Sequence, residues 1–107
     1  MSINQYQIIL VNLDSTIGSE IKKTRPCVVI SPNEMNKYLR TIVIAPITTS
    51  SMTYPTRVGI KHDNKIGWIV LEQVRIIDKQ RIVKTLGRLS KPETKEVKSV
   101  TKETYVD

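Results

Sequence analysis

The sequence predicts a mainly β protein, a small antiparallel barrel with one short helix and a helix at the C-terminus. Three observations carry that expectation. At least five short runs rich in Val, Ile and Thr crowd the stretch from Tyr6 to Leu86, too closely spaced for the crossovers that parallel strands need. Only two segments carry helix-start signals, at Ser31 and at Ser90. The chain has 107 residues, 39% hydrophobic and 25% charged, ordinary values for one folded domain spanning residues 1–107.

Each element has its own reason. Tyr6 to Leu13 is apolar on both faces after Gln7, which suits a buried strand. Asp14 to Thr24 reads as a charged loop around Gly18, and Arg25-Pro26 leads into a second strand, Cys27 to Ile30. Ser31-Pro32-Asn33-Glu34 has the form of a capping box with proline at the first helical position, so a short helix to Tyr38 is expected. Thr41 to Ala45 is a third strand, closed by Pro46, and Thr48 to Pro55 a loop rich in Thr and Ser. Thr56 to Ile60 and Gly67 to Leu71 make a hairpin across a polar turn around His62. Arg75 to Asp78 is extended, Asp78 to Gln80 turns, and Arg81 to Leu86 is the last strand. Ser90 to Glu93 repeats the capping box and opens a helix to about Thr104. Its apolar stripe is only Val97, Val100 and Tyr105, so it should pack on one edge and fray.

Composition narrows the chemistry. Seventeen Lys and Arg against ten Asp and Glu leave +7, with a pI near 9.7, a balance that suits a polyanionic partner. Cys27 stands alone, so no disulfide forms within the chain, and its apolar surroundings predict an inert thiol. With one His and one Cys there is no zinc cluster, and no EF-hand loop appears; no metal and no cofactor is expected. The glycines at 18, 59, 67 and 87 are too scattered for a phosphate loop. No apolar run is long enough to span a membrane and the N-terminus lacks the features of an export signal, so a cytoplasmic protein is expected.

The remaining functional groups gather at loops. Arg25 begins one strand and Thr48 follows another; on a shared rim they would offer a phosphate a planar guanidinium fork and a hydroxyl donor. Solvated surface is the plainer reading of the same spacing. Gln73 could read a base edge or hold a strand corner, and Tyr54 stands in a loop where a base could stack. Trp68 is expected in the core or on a dimer surface.

At these residues the chain resembles the MazF/PemK toxins. The matching stretches are Gly18-Ser19-Glu20 with Arg25-Pro26-Cys27-Val28-Val29-Ile30-Ser31, then Pro46-Ile47-Thr48 with Tyr54-Pro55, then Leu71-Glu72-Gln73-Val74-Arg75 with Ile77-Asp78-Lys79-Gln80-Arg81. The resemblance implies an SH3-like barrel of the CcdB/Kid/MazF type that forms a homodimer. It implies a sequence-selective endoribonuclease of single-stranded mRNA, the toxin of a type II toxin–antitoxin system. A cognate acidic antitoxin would fill the RNA grooves and, with the toxin, bind DNA. The family's catalytic arginine falls on Arg25 and its catalytic threonine on Thr48. Ser19 and Glu20 fall on a loop closing over RNA, and Glu72, Gln73 and Arg75 on a corner beside the groove; Lys22, Thr49 and Tyr54 are further RNA contacts expected from the same loops. The chain departs from the family pattern at Tyr6-Gln7, Ile21 and Lys23.

That resemblance implies metal-free cleavage by the RNA's own 2′-hydroxyl, leaving a 2′,3′-cyclic phosphate and a 5′-hydroxyl. A guanidinium stays protonated at ordinary pH, so Arg25 is read as a stabiliser of phosphorane charge, with Glu20 a candidate base. Two other classes stay open: a CcdB-like gyrase inhibitor that cuts nothing, and a non-catalytic RNA-binding module.

Overall fold

Residues 2–13, 24–49 and 54–106 are described in the computed structural model. Among them the chain forms β1 (Gln7–Asn12), β2 (Thr24–Val29), α1 (Asn33–Tyr38), β3 (Thr41–Thr48), β4 (Arg57–His62), β5 (Lys65–Val70), β6 (Arg75–Asp78), β7 (Ile82–Arg88) and α2 (Lys91–Tyr105). Single 3-10 turns at Leu71–Gln73 and Lys79–Arg81 flank β6.

Every pairing is antiparallel, as the spacing predicts, in the order β4-β5-β3-β2-β1-β7 with β6 also on β3. Strand β3 is the hub. One edge pairs with β2; the other pairs first with β6, from Thr41 to Ile44, and then with β5, at Ile47 and Thr48. A sheet whose central strand changes partners in this way curls into a half-barrel, and β6 and β7 approach through the short turn at Lys79–Arg81.

The curl gives the sheet two buried faces, which is why β1 has no polar side. Ile9, Val11, Cys27, Val29, Ile42, Ile44 and Ile77 fill the inner face. Ile8, Val28 and Ala45, their alternating neighbours, face outward and are covered by Val58, Ile60 and Ile69 of the β4–β5 hairpin and by Val97 of α2. Both sets are almost wholly excluded from solvent.

Several local expectations change. Strand β3 runs through Pro46 to Thr48 instead of stopping at the proline. Pro46 falls between the last β6 partner, Ile44, and the first β5 partner, Ile47, an irregular point where a strand tolerates a missing N–H. Ser31 does not cap α1, whose N-cap is Pro32 without a side-chain bond. Its hydroxyl donates instead to the buried Asn36 amide oxygen and accepts from the Val43 N–H at 3.0 Å, so it ties the helix to β3. The hairpin turn is Asp63-Asn64, both with positive φ (51° and 62°), the backbone of a two-residue hairpin loop; His62 belongs to β4.

The capping box of α2 forms as expected. Ser90 Oγ accepts the Glu93 N–H at 3.3 Å, and Glu93 Oε1 accepts the Ser90 N–H at 2.9 Å. Glu93 Oε2 also accepts the Lys61 N–H at 3.0 Å, which clamps the helix start to β4. The far end is held rather than frayed, because the Tyr105 hydroxyl donates to the Leu71 carbonyl.

Candidate nucleic-acid interface

The candidate residues lie where the inner face of the sheet runs out of apolar filling. On that face Cys27 of β2 stands opposite Pro46 of β3. That pair is the last in the β2–β3 ladder; two residues beyond it on each strand, side-chain alternation puts Arg25, which pairs with Val11 of β1, and Thr48 on the same face. Thr48 is in turn opposite Trp68 of β5, and Trp68 opposite Gly59 of β4. Opposed residues in antiparallel strands share a face, so Thr48, Trp68 and Gly59 form one row across three strands, with Arg25 on the same face of β2. Arg25 is exposed, while Thr48 and Trp68 are half-buried. Arg75 stands opposite Ile44 and is also exposed on this face.

Cys27 lies directly behind Arg25 on β2 and is wholly buried. Burial pushes its thiol up to about 12, although the charges of Arg25 and Arg75 pull the other way. The expected inert thiol is therefore what the environment produces. The same two influences place Arg25 and Arg75 near one buried atom from different strands.

A second group stands beside the row. The Arg57 guanidinium lies over the Tyr54 ring, 4.6 Å from its centroid, and pairs through Nε with Glu72 Oε2 at 3.3 Å. Thr56 Oγ1 donates to Glu72 Oε1 at 3.0 Å. Desolvation raises the Glu72 carboxyl, but its own backbone N–H, the Thr56 hydroxyl and Arg57 outweigh it and hold the group below its ordinary value. Glu72 and Gln73 occupy the 3-10 turn after β5, and Gln73 is exposed. The expected strand corner is that turn.

Thus Arg25, Thr48 and Arg75 share one face, and Tyr54 and Glu72 are joined through Arg57. Thr49 is exposed just past Thr48. Ser19, Glu20 and Lys22 lie outside the described residues. Sequence reasoning passed over Arg57 and placed Trp68 in the core or at a dimer surface; neither apolar core includes that indole. The signal was available in the hairpin, since residues 59 and 68 lie equally far from the Asp63-Asn64 turn and must face each other. Chemically, this face offers an anion a guanidinium fork and a hydroxyl donor, with further positive charge from Arg75.

Comparison with known proteins places this arrangement in context. Residues 4–104 match the family of PemK-like, MazF-like toxins of type II toxin–antitoxin systems. A protein of Staphylococcus saprophyticus subsp. saprophyticus named endoribonuclease MazF is 36% identical over 96 residues, spanning 84% of this chain and 80% of its own. Among solved structures, MazF from Deinococcus radiodurans superposes with a TM-score of 0.81 at 19% identity, over 100% of this chain and 99% of that one. An endoribonuclease in complex with its cognate antitoxin, from a mycobacterial species, gives 0.77 at 16% identity over 95% and 91%. The half-barrel with its C-terminal helix is the fold of these neighbours.

Proposed function

The chain belongs to the PemK-like, MazF-like toxins of type II toxin–antitoxin systems, and from that premise we propose that it is an endoribonuclease whose site is built on Arg25 and Thr48. The observation that carries the reading is that both residues lie on the inner face, each two positions beyond the last β2–β3 pair, Cys27 and Pro46. The named relative is an endoribonuclease, and the charge of +7 suits a polyanionic substrate.

The substrate is single-stranded mRNA, cut by in-line attack of the 2′-hydroxyl on the adjacent phosphorus. A 2′,3′-cyclic phosphate forms as the P–O5′ bond breaks, and the departing oxygen takes a proton from water to become a 5′-hydroxyl. Negative charge grows on the non-bridging oxygens during attack. Arg25 stabilises it with its fork, and Thr48 donates a further hydrogen bond. Arg75 adds positive charge to the same face. Glu20 is the candidate acceptor of the 2′-hydroxyl proton. Thr49, Tyr54, Glu72 and Gln73 border the strand of RNA, and Ser19 and Lys22, from the stretch of sequence before β2, are further contacts in this reading.

The working unit in this reading is a cytoplasmic homodimer, carrying +14 from two chains of +7. Such a field steers RNA toward the site and gives an acidic antitoxin a surface to occupy. The test is purified, antitoxin-free protein incubated with a long mixed-sequence RNA in EDTA, beside Arg25→Ala. Discrete fragments with 5′-hydroxyl ends, absent from the variant, are expected, and their ends map the recognition sequence. Intact RNA with a folded protein would sink the reading and leave the gyrase-inhibitor and binding-module classes.

A further inference from the structure

Trp68 is the chain's one tryptophan, and it stands in an unusual place for one. It is half-buried, belongs to neither apolar core, and lies on the inner face immediately across from Thr48. Side chains opposed in this way start about 4.5–5.5 Å apart at Cβ. The indole is thus a direct neighbour of Thr48, the residue proposed above to donate to the scissile phosphate.

Gly59 explains how so large a ring fits on the row. It stands opposite Trp68 in the β4–β5 ladder. A Cβ built there would lie 3.0 Å from Cζ3 and 3.4 Å from Cε3 and Cη2 of the indole. The six-membered ring therefore lies over the β4 backbone, in space that any other residue at 59 would claim. Held against the sheet on one side and reached by solvent, the indole is a fixed apolar plane with little rotamer freedom left to lose on binding. Around it stand groups suited to a nucleotide: Thr48 directly opposite, Arg25 on the same face of β2, and the Arg57–Tyr54 stack starting from the same strand as Gly59.

We propose that Trp68 is the base-stacking residue of this site, seating the base next to the scissile phosphate and thereby setting which cut sites are used. The inference rests on the endoribonuclease reading and adds to it a substrate contact and a specificity determinant. Every base has a π-face, so the stack supplies affinity for single-stranded RNA, and the recess beside it discriminates by size and stacking strength. A residue that only packed against Gly59 would serve the hairpin and leave RNA untouched.

The single tryptophan makes the test direct. Wild-type protein is titrated with a short oligonucleotide carrying 2′-O-methyl groups, which cannot attack, while binding is followed separately by anisotropy of a labelled copy. Stacking predicts that tryptophan emission falls in step with binding. Trp68→Leu is expected to raise KM about 5- to 150-fold, the range of one lost base stack, and to redistribute the cut sites. Trp68→Tyr is expected to restore most of both. Emission that stays flat while anisotropy reports saturation overturns the proposal, as does an unchanged KM and cut-site pattern in a folded Trp68→Leu protein. Emission that follows protein concentration and ignores RNA overturns it in favour of a second copy covering the face. A wild type that neither binds nor cuts RNA would bring down the endoribonuclease reading itself, whereas active cutting with flat emission removes this inference alone.

Discussion

The two ends of the inner sheet face are built from the same strands and do opposite things. At one end Val29 and Ile44 face each other and admit no solvent. Four residues along each strand, roughly 13 Å away, Arg25 is exposed and Thr48 half-exposed on the same side. No separate scaffold holds the polar end in place. Both strands continue past the last pair they share, Arg25 paired to β1 and Thr48 to β5, so their backbones are placed by the sheet, an order that loops would have to gain on binding. The price is modest, since a few core positions go to polar residues.

The sharpest way to break the comparison is to injure one end and read the other. Arg25→Ala is expected to lower kcat by roughly 10² to 10³, the loss of about 2.7–4 kcal/mol typical for one preorganised donor. Its denaturation midpoint should hardly move, because the side chain is exposed. Ile44→Ala is expected to cost about 2–5 kcal/mol of stability, since the residue is wholly buried, while kcat per folded molecule stays near wild type. Urea melts and initial rates on the same preparations check both. An Ile44→Ala protein that is folded yet slow would mean the two ends are one mechanical unit.

A smaller effect is expected further from the site. Ser90→Ala removes the hydroxyl that accepts the Glu93 N–H and should cost about 1 kcal/mol, the usual loss for an N-cap. Helix α2 covers the outer face, not the inner face that carries Arg25 and Thr48. RNA cleavage at 25 °C should therefore be unchanged in this variant, and a loss of rate would show that the outer face supports the site.

What the sequence made legible follows the same division. Capping at Ser90, the hairpin and the buried strands were readable because each depends on residues close in sequence. The role of Ser31 was not. Its capping pattern is real as a string, but Asn36 and the Val43 N–H compete for the hydroxyl, and that competition exists only once β3 docks. Pro46 misled for a related reason, because its tolerance depends on β3 changing partners on either side of it. The candidate pair Arg25 and Thr48 is legible as two loop-flanking groups suited to a phosphate, and the family resemblance adds the catalytic assignment; their common place on the inner face is tertiary. Arg57 carried no sequence signal of its own, since its contacts to Tyr54 and Glu72 depend on the turn after β5 folding back. Trp68 reads in the sequence as core or dimer surface, because so large an aromatic is usually much buried; its place beside Thr48 depends on β5 joining β3 for just two residues.

The smallest expected effect separates the two regions by pH. Glu93, at the start of α2, is raised by desolvation, but the N–H groups of Ser90 and Lys61, the Ser90 hydroxyl and the charge of His62 outweigh this and hold it below its ordinary value. Glu72, beside the site, is lowered in net by its backbone, Thr56 and Arg57 despite desolvation. A carboxylate depressed in the folded state contributes stability that is fully present above its unfolded pKa, about 4.3, and is lost as pH falls through the folded value. Stability should therefore hold from pH 7 to about 5 and decline below about 4.3. Glutamine keeps the hydrogen-bonding shape of a capping box without the charge, so Glu93→Gln should flatten that decline. Glu72→Gln should flatten it less, because Glu72 is exposed and water screens its pairing. Denaturant midpoints between pH 7 and 3 give both slopes. If Glu72→Gln flattened the curve more than Glu93→Gln, the acid-sensitive contact would lie at the site and not at the helix clamp.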